Sequence, residues 1–214
     1  PVTPTAGADP AIDPAARRVR CADGSTVDFD VLSIDTGPVA DLSTIPGADA
    51  HVIPVRPIEQ FIEACTRMMN AVAACKAGGQ NARIVFVGAG AAGVELALAM
   101  QHTFSEMKGT GAVALTLVSA ANTLPGSVGP RLARIMKERG IKVLTGRAAG
   151  RVHAGLVELA DGERLEADHI IVSTGASAAP WLAASGLACD ARGFLEINTH
   201  LQSTSHAGIF AAGD

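Results

Sequence analysis

Residues 83–93 read Arg-Ile-Val-Phe-Val-Gly-Ala-Gly-Ala-Ala-Gly, an apolar run that passes directly into glycines spaced as G-x-G-x-x-G. A continuous apolar run of this length is typical of a parallel strand that is buried on both faces. The residues that follow, up to Phe104, have the composition of an apolar helix. Strand, glycine turn and helix in this order are the context in which the glycine pattern indicates a dinucleotide site.

Each glycine of this motif has a distinct expected role. Gly88 permits the sharp turn out of the strand, Gly90 lets a pyrophosphate approach the backbone, and Gly93 lets the helix pack closely on the sheet. The free N–H groups at the helix start, from Ala91 and Ala92 onward, then hold the phosphate charge together with the helix dipole. The alternative is a glycine-rich turn that packs a helix and binds nothing.

The ribose end of the motif does not identify the nucleotide. An NADH site has Asp or Glu after the second strand, and an NADPH site has an Arg nearby. This chain has Ser119-Ala120-Ala121 after the predicted strand 112–118. The choice between NADH and NADPH therefore stays open, and we predict that Ser119 contacts the ribose weakly in either case.

The order of elements predicts an α/β fold. A helix at 57–76 precedes the glycine motif, and strands and helices alternate up to residue 144. Short strands then follow between residues 151 and 166, with an Asp-Gly turn signal between the last two. This pattern predicts a doubly wound, Rossmann-like dinucleotide-binding domain with an antiparallel β-meander.

Composition limits the class of protein. Of the 214 residues, 48% are hydrophobic and 18% are charged, which is typical of a globular chain. A net charge of −4 and the absence of Tyr give no basis for nucleic-acid binding. The four cysteines include no C-x-x-C pair and form no metal pattern with the six scattered histidines, so we predict no metal. No basic-then-apolar leader is visible, and we expect a cytoplasmic protein.

Two apolar strands end in similar triplets, Asp35-Thr36-Gly37 and Ser173-Thr174-Gly175. An aspartic protease would need two carboxylates that share a proton. The second triplet has Ser where the second Asp would be required, and strand–helix alternation does not suit an all-β protease. We therefore set the protease hypothesis aside.

The order of these features resembles the two-dinucleotide-domain pyridine nucleotide-disulphide oxidoreductases, near the type II NADH dehydrogenase-like members. In that family an NAD(P)H domain is inserted into an FAD domain, and strand–x-Thr-Gly segments mark both crossings. The resemblance places those crossings at Thr36-Gly37 and Thr174-Gly175. Residues 204–214 look like the second FAD motif, in which Gly213 and Asp214 would bind the ribityl or phosphate region of the flavin.

The resemblance implies a domain order. Residues 1–37 would be a partial FAD-domain segment, 38–55 a linker, 56–175 the NAD(P)H-binding domain and 176–214 the return segment of the FAD domain. The first FAD glycine motif, a redox disulphide and the C-terminal domain of the family are missing. Because the chain starts at Pro1 and stops at Asp214 after an apolar run, we expect a piece of a longer protein that holds FAD poorly by itself.

The resemblance also implies hydride transfer from NADH or NADPH to FAD, and from FAD to a small-molecule electron acceptor. No residue is a convincing acid–base catalyst, so the catalytic residues stay unknown. Glu95 matches an acid that family members place near the nicotinamide, and the alternative is an acid favoured by the helix N-terminus.

Three segments, 12–19, 32–37 and 180–182, are similar to one branch of this family. Its members are encoded beside, or fused to, selenide, water dikinase, which would then be a partner.

The alternative functions from other classes are a non-enzymatic nucleotide sensor and a membrane-associated NADH:quinone or sulphide:quinone oxidoreductase. The oligomeric state stays open.

Overall fold

The computed structural model describes residues 11–213, which separate into two compact units. One unit combines residues 11–39 with residues 176–213, and the other comprises residues 40–175. The strands in chain order are β1 (Ala11–Asp13), β2 (Arg18–Arg20), β3 (Thr26–Asp28), β4 (Leu32–Ile34), β5 (Val39–Ala40), β6 (Ile53–Pro54), β7 (Ala82–Val87), β8 (Val113–Val118), β9 (Lys142–Leu144), β10 (Ala149–His153), β11 (Leu156–Leu159), β12 (Arg164–Glu166), β13 (His169–Val172), β14 (Ala176–Ser177) and β15 (Ile209–Ala211). The helices are α1 (Ala48–His51), α2 (Ile58–Ala77), α3 (Ala91–Glu106), α4 (Gly129–Glu138) and α5 (Pro180–Ala184).

The unit of residues 40–175 is built on a five-stranded parallel sheet with strand order β6-β13-β7-β8-β9. Successive side chains of a strand point to opposite faces, and β7 follows this rule. Ile84 and Phe86 join the core formed with α2, α3 and α4. Val85 and Val87 join a second core on the other face. The prediction of an α/β, Rossmann-like domain is confirmed.

The second face of this sheet is covered differently from the first. Strands β10, β11 and β12 form an antiparallel meander. Val152, Val157 and Leu159 of the meander pack with α1 against the sheet. Long helices therefore cover one face of the sheet, and the meander covers the other. The meander can do so because apolar residues alternate along its strands and form one apolar side.

The segment 38–55, predicted as a linker, contains regular structure. It carries α1 and the edge strand β6, whose Ile53 and Pro54 pair in parallel with Ile171 and Val172 of β13. Proline is tolerated at the edge of a sheet, where its missing N–H faces no partner strand. The prolines of this segment therefore signal an edge strand as well as turns.

The unit formed by the two chain ends contains a three-stranded antiparallel sheet, β1-β2-β3, and the parallel pair β4–β15. Its core includes Ile12, Ile34, Leu182 and Ile209. The Pro, Ala and Asp content of residues 1–16 predicts a loop, but the structure has strand β1 within this range. Among residues 11–213, no helix has the length and apolar content needed to cross a membrane.

Candidate functional site

Gly88 forms the sharp turn at the end of β7. Its φ is +106°, in the region that favours glycine. A Cβ at this position would lie 2.9 Å from both Ser173 Oγ and Thr174 Cγ2. The turn is fixed to the sheet because the Gly88 N–H donates to the Val118 carbonyl at 2.9 Å. Both conformation and space therefore require glycine here.

Gly93 brings helix α3 against this turn. A Cβ on Gly93 would lie 2.0 Å from the Gly88 carbonyl oxygen and 2.6 Å from Ser173 Oγ. The same carbonyl accepts a hydrogen bond from the Ser173 hydroxyl at 2.9 Å. No side chain larger than hydrogen fits between helix and turn, so the third glycine serves close packing.

Gly90 differs from its two neighbours in the motif. Its φ of −65° and ψ of −178° suit any residue. A Cβ there would meet nothing within 4 Å, and Gly90, Ala91 and Ala92 are all exposed. The fold itself does not require this glycine, but it leaves open the backbone surface that a pyrophosphate would need.

The start of α3 offers donors to such a ligand. The first N–H groups of an α-helix have no acceptor inside the helix, and no side chain caps α3 at Gly90. Anions are favoured at this end by the helix dipole. The open glycine backbone and the uncapped helix therefore fit the pyrophosphate of a dinucleotide.

Ser119 is only 5% exposed, which limits its contact with a ribose. Its hydroxyl accepts a hydrogen bond from the Ala121 N–H at 3.2 Å and so stabilises the turn after β8. Ala120 and Ala121 are the exposed residues at this position. The contact between Ser119 and the ribose stays a prediction. In the structure, the Ser119 hydroxyl stabilises the turn of which it is part.

Arg147 lies beside the same turn, since its backbone N–H donates to the Ser119 carbonyl at 2.8 Å. Its Nε donates to an Asp161 carboxylate oxygen at 2.8 Å, and its guanidinium also pairs with Glu163. Bonding to Glu163 and Asp161 raises the pKa of Arg147 above its ordinary value. The Glu163 backbone N–H and then Arg147 lower the pKa of Asp161. This ion cluster joins residues that are 14 and 16 positions apart in the chain, and no local pattern in the sequence predicts it.

Thr174 and Glu95 were also predicted to contact cofactor. Thr174 packs its methyl group towards Gly88, and its Oγ1 is buried with no hydrogen-bond partner among the described residues. Gly175 follows with a φ of +52°. Glu95 is exposed on α3 and forms no ion pair within residues 11–213. Thr174 thus borders the glycine turn, and the roles of both side chains stay predictions.

The other predicted cofactor residues lie in the unit formed by the chain ends. Thr36, Gly37 and Gly213 line a cavity of about 450 Å³ at the carboxyl ends of β4 and β15. Gly213 has a φ of +91°, and a Cβ there would lie 2.7 Å from Asp35 Oδ1. Asp214 lies outside the described residues.

Two lining residues of this cavity carry no sequence signal. Arg192 stands over the ring of Phe194, with 5.1 Å between the guanidinium carbon and the ring centroid. They face the cavity because the return segment folds beside β4, a placement that spacing in the sequence does not give. The cavity combines glycine backbone, apolar side chains and one cation, which suits part of a large anionic cofactor.

The glycine turn, the parallel sheet with its meander, and a Thr-Gly segment after each of β4 and β13 together indicate a flavoprotein class. Residues 8–214 match the family model described as pyridine nucleotide-disulphide oxidoreductase, and the chain belongs to this family.

Individual relatives cover the same region of the chain. An NADH dehydrogenase-like protein of Mycobacterium tuberculosis is 25% identical over 211 residues, which are 95% of this chain and 52% of that protein. The ferredoxin–NAD(+) reductase subunit of the benzene 1,2-dioxygenase system of Pseudomonas putida is 27% identical over 217 residues, 95% of this chain and 47% of the subunit.

A solved structure supports the same assignment. An FAD-dependent pyridine nucleotide-disulphide oxidoreductase from Desulfovibrio vulgaris matches with a TM-score of 0.72 and 26% identity, over 95% of this chain and 51% of that one. The chain thus spans about half the length of these relatives.

The packing role of Gly93 and the open position of Gly90 can be distinguished by measuring the stability of variants. Gly93→Ala should lower the free energy of unfolding by at least about 2 kcal/mol, because its Cβ overlaps the Gly88 carbonyl. Gly90→Ala should change it by less than about 0.5 kcal/mol, since its Cβ points into open space. Urea unfolding followed by circular dichroism measures both. Equal losses for the two variants would contradict the assigned roles.

Proposed function

We propose that the whole protein is an FAD-dependent NAD(P)H oxidoreductase and that this chain supplies its nucleotide-donor site. The observation that carries the proposal is the difference among the three glycines. Packing accounts for Gly88 and Gly93, whereas no contact within residues 11–213 accounts for Gly90. A ligand that approaches the backbone closely supplies the missing reason.

The residues of the chain would bind and orient the donor. The open backbone at Gly90 and the uncapped N–H groups of α3 would hold the pyrophosphate and thereby fix the position of the nicotinamide end. Thr36, Gly37, Gly213 and Asp214 would contribute to the FAD site. Bound FAD supplies a two-electron acceptor for the hydride of the reduced nicotinamide. We assign no acid–base residue, since hydride transfer requires chiefly positioning.

Substitution of Gly90 tests the donor site. Gly90→Val should weaken NADH binding at least about tenfold, because the side chain would fill the space needed by the pyrophosphate. Isothermal titration calorimetry with NADH measures the change. Gly78→Val is a matched control, since Gly78 also has an ordinary φ of −79° and lies at the end of α2. Unchanged affinity in Gly90→Val would refute the assignment.

We further propose NADH as the donor. The loop from 119 to 128 contains no Lys or Arg. Arg147, the cation beside it, is already paired with Asp161 and Glu163. A 2′-phosphate would have to compete with two carboxylates for that guanidinium and would itself be repelled by them. NADH carries no such phosphate and meets no such penalty.

The selectivity for NADH over NADPH can be tested by removing the two carboxylates that pair with Arg147. The wild type should bind NADH more tightly than NADPH, and Asp161→Asn with Glu163→Gln should tighten NADPH binding about tenfold while leaving NADH unchanged. Glu158→Gln is the control, because it releases Arg164 elsewhere on the same meander. The hypothesis fails if the wild type binds the two nucleotides equally.

The relatives support an electron-carrier protein as the acceptor. One relative is named as a ferredoxin–NAD(+) reductase subunit, and one similar structure, 25% identical, is a putidaredoxin reductase in complex with putidaredoxin. We therefore propose a ferredoxin-type acceptor in place of the small molecule predicted above. A sulfide:quinone oxidoreductase structure is also similar, but at 17% identity the similarity supports the fold and not a quinone acceptor.

Turnover distinguishes an enzyme from a sensor. With NADH and a ferredoxin-type carrier, the whole protein loaded with FAD should oxidise many equivalents of NADH, as followed by the loss of nicotinamide absorbance. Ferricyanide and a soluble quinone analogue serve as comparison acceptors. Tight NADH binding with no turnover on any acceptor would favour the sensor hypothesis instead.

The association with selenide, water dikinase rests on three short segments alone. One of them, residues 180–182, starts α5 and places Leu182 in the core at 6% exposure. That tripeptide therefore has a packing role that needs no partner.

We also propose that the protein is located in a reducing compartment such as the cytoplasm, and its four free cysteines support this proposal.

A further inference from the structure

A second cavity lies within the unit of residues 40–175, at the amino end of β8. It has a volume of about 200 Å³, with an apolar floor that includes Phe104 and Leu115. Its polar lining consists of Lys76, Gln101, Ser105 and Arg139. The glycine turn and Ser119 lie at the carboxyl ends of β7 and β8, so this cavity is separate from the proposed donor site.

Lys76 is the unusual member of this lining. It is only 9% exposed, and its ammonium group forms no ion pair or hydrogen bond with any residue between 11 and 213. Arg139, which is exposed, likewise has no ion-pair partner in that range. No lining residue is acidic. Two cationic side chains and no acidic one therefore line the cavity, and a bound anion would be attracted by this uncompensated positive charge.

The position of both cations at helix ends suggests a simpler explanation. Lys76 lies in the last turn of α2, and Arg139 is the C-cap of α4, where the helix dipole favours positive charge. However, the carbonyl groups of residues 74–76 already accept hydrogen bonds from the backbone N–H groups of residues 78–80. Those of residues 135–137 accept from residues 139–141. The side-chain donors are therefore not needed as caps.

The lining of the cavity favours a small anion with two negative charges. Lys76, Arg139 and the Gln101 amide offer N–H donors, whereas the Ser105 hydroxyl is used in donating to the His102 carbonyl at 2.7 Å. Two cations match a divalent oxyanion, and the volume is smaller than the roughly 300 Å³ or more of a site for a larger organic ligand. We propose that this cavity binds a small oxyanion of the phosphate class.

Titration with inorganic phosphate tests this proposal. At constant ionic strength, calorimetry on the full chain should show saturable phosphate binding. Lys76→Met keeps most of the side-chain volume and should weaken binding about 10- to 100-fold, since it removes a charge-assisted hydrogen bond. Arg139→Gln provides a second variant should Lys76→Met lose its circular dichroism signal.

The controls identify where the ion binds. Lys137→Met removes a charge from α4 outside the cavity lining and should leave the affinity unchanged. Gly90→Val should also leave it unchanged, because the glycine turn is a separate anion site. No saturable binding by the wild type would overturn the proposal. So would an affinity equal to that of the wild type in both cavity variants, or a loss confined to Gly90→Val, which would place the ion at the glycine turn.

Discussion

The contact between helix α3 and the glycine turn is the constraint on which the candidate site depends. The Gly88 carbonyl accepts a hydrogen bond from Ser173 at 2.9 Å, and Gly93 approaches that carbonyl more closely than any Cβ would allow. One peptide group therefore joins β7, α3 and the end of β13. Because these three elements meet there, the first N–H groups of α3 and the backbone of Gly90 face solvent in a fixed arrangement.

The same packing explains why so little of the site consists of reactive side chains. A flavoprotein that transfers hydride needs its nucleotide held in place, and backbone groups at a helix start provide this without a charged residue. The charged residues around the ribose position act differently. Asp161 and Glu163 neutralise Arg147, and under the proposed function this pairing would let the meander contribute to the choice between NADH and NADPH.

Local sequence rules predicted the elements that carry their own pattern. The apolar run 84–87, the glycine spacing and the helical periodicity of α2 each follow from short-range chemistry, and the structure has these elements close to the predicted residues. The segment 38–55 was predicted less well. Its prolines indicate turns, yet its β6 is an edge strand that pairs with β13, more than a hundred residues later.

The sequence by itself determined the class of this protein, because a strand, three glycines and a helix leave few alternatives to a dinucleotide fold. The tertiary structure decided what surrounds each residue of the candidate site. It showed that Gly90 is the one glycine of the motif with open space around it, that Ser119 is turned into its own loop, and that Arg147 is already paired. The packing around the glycine motif and the pairing of Arg147 depend on contacts between separate segments, which spacing along the chain does not encode. The hydrogen bond of Ser119 is local, but its direction follows from the conformation of the turn after β8.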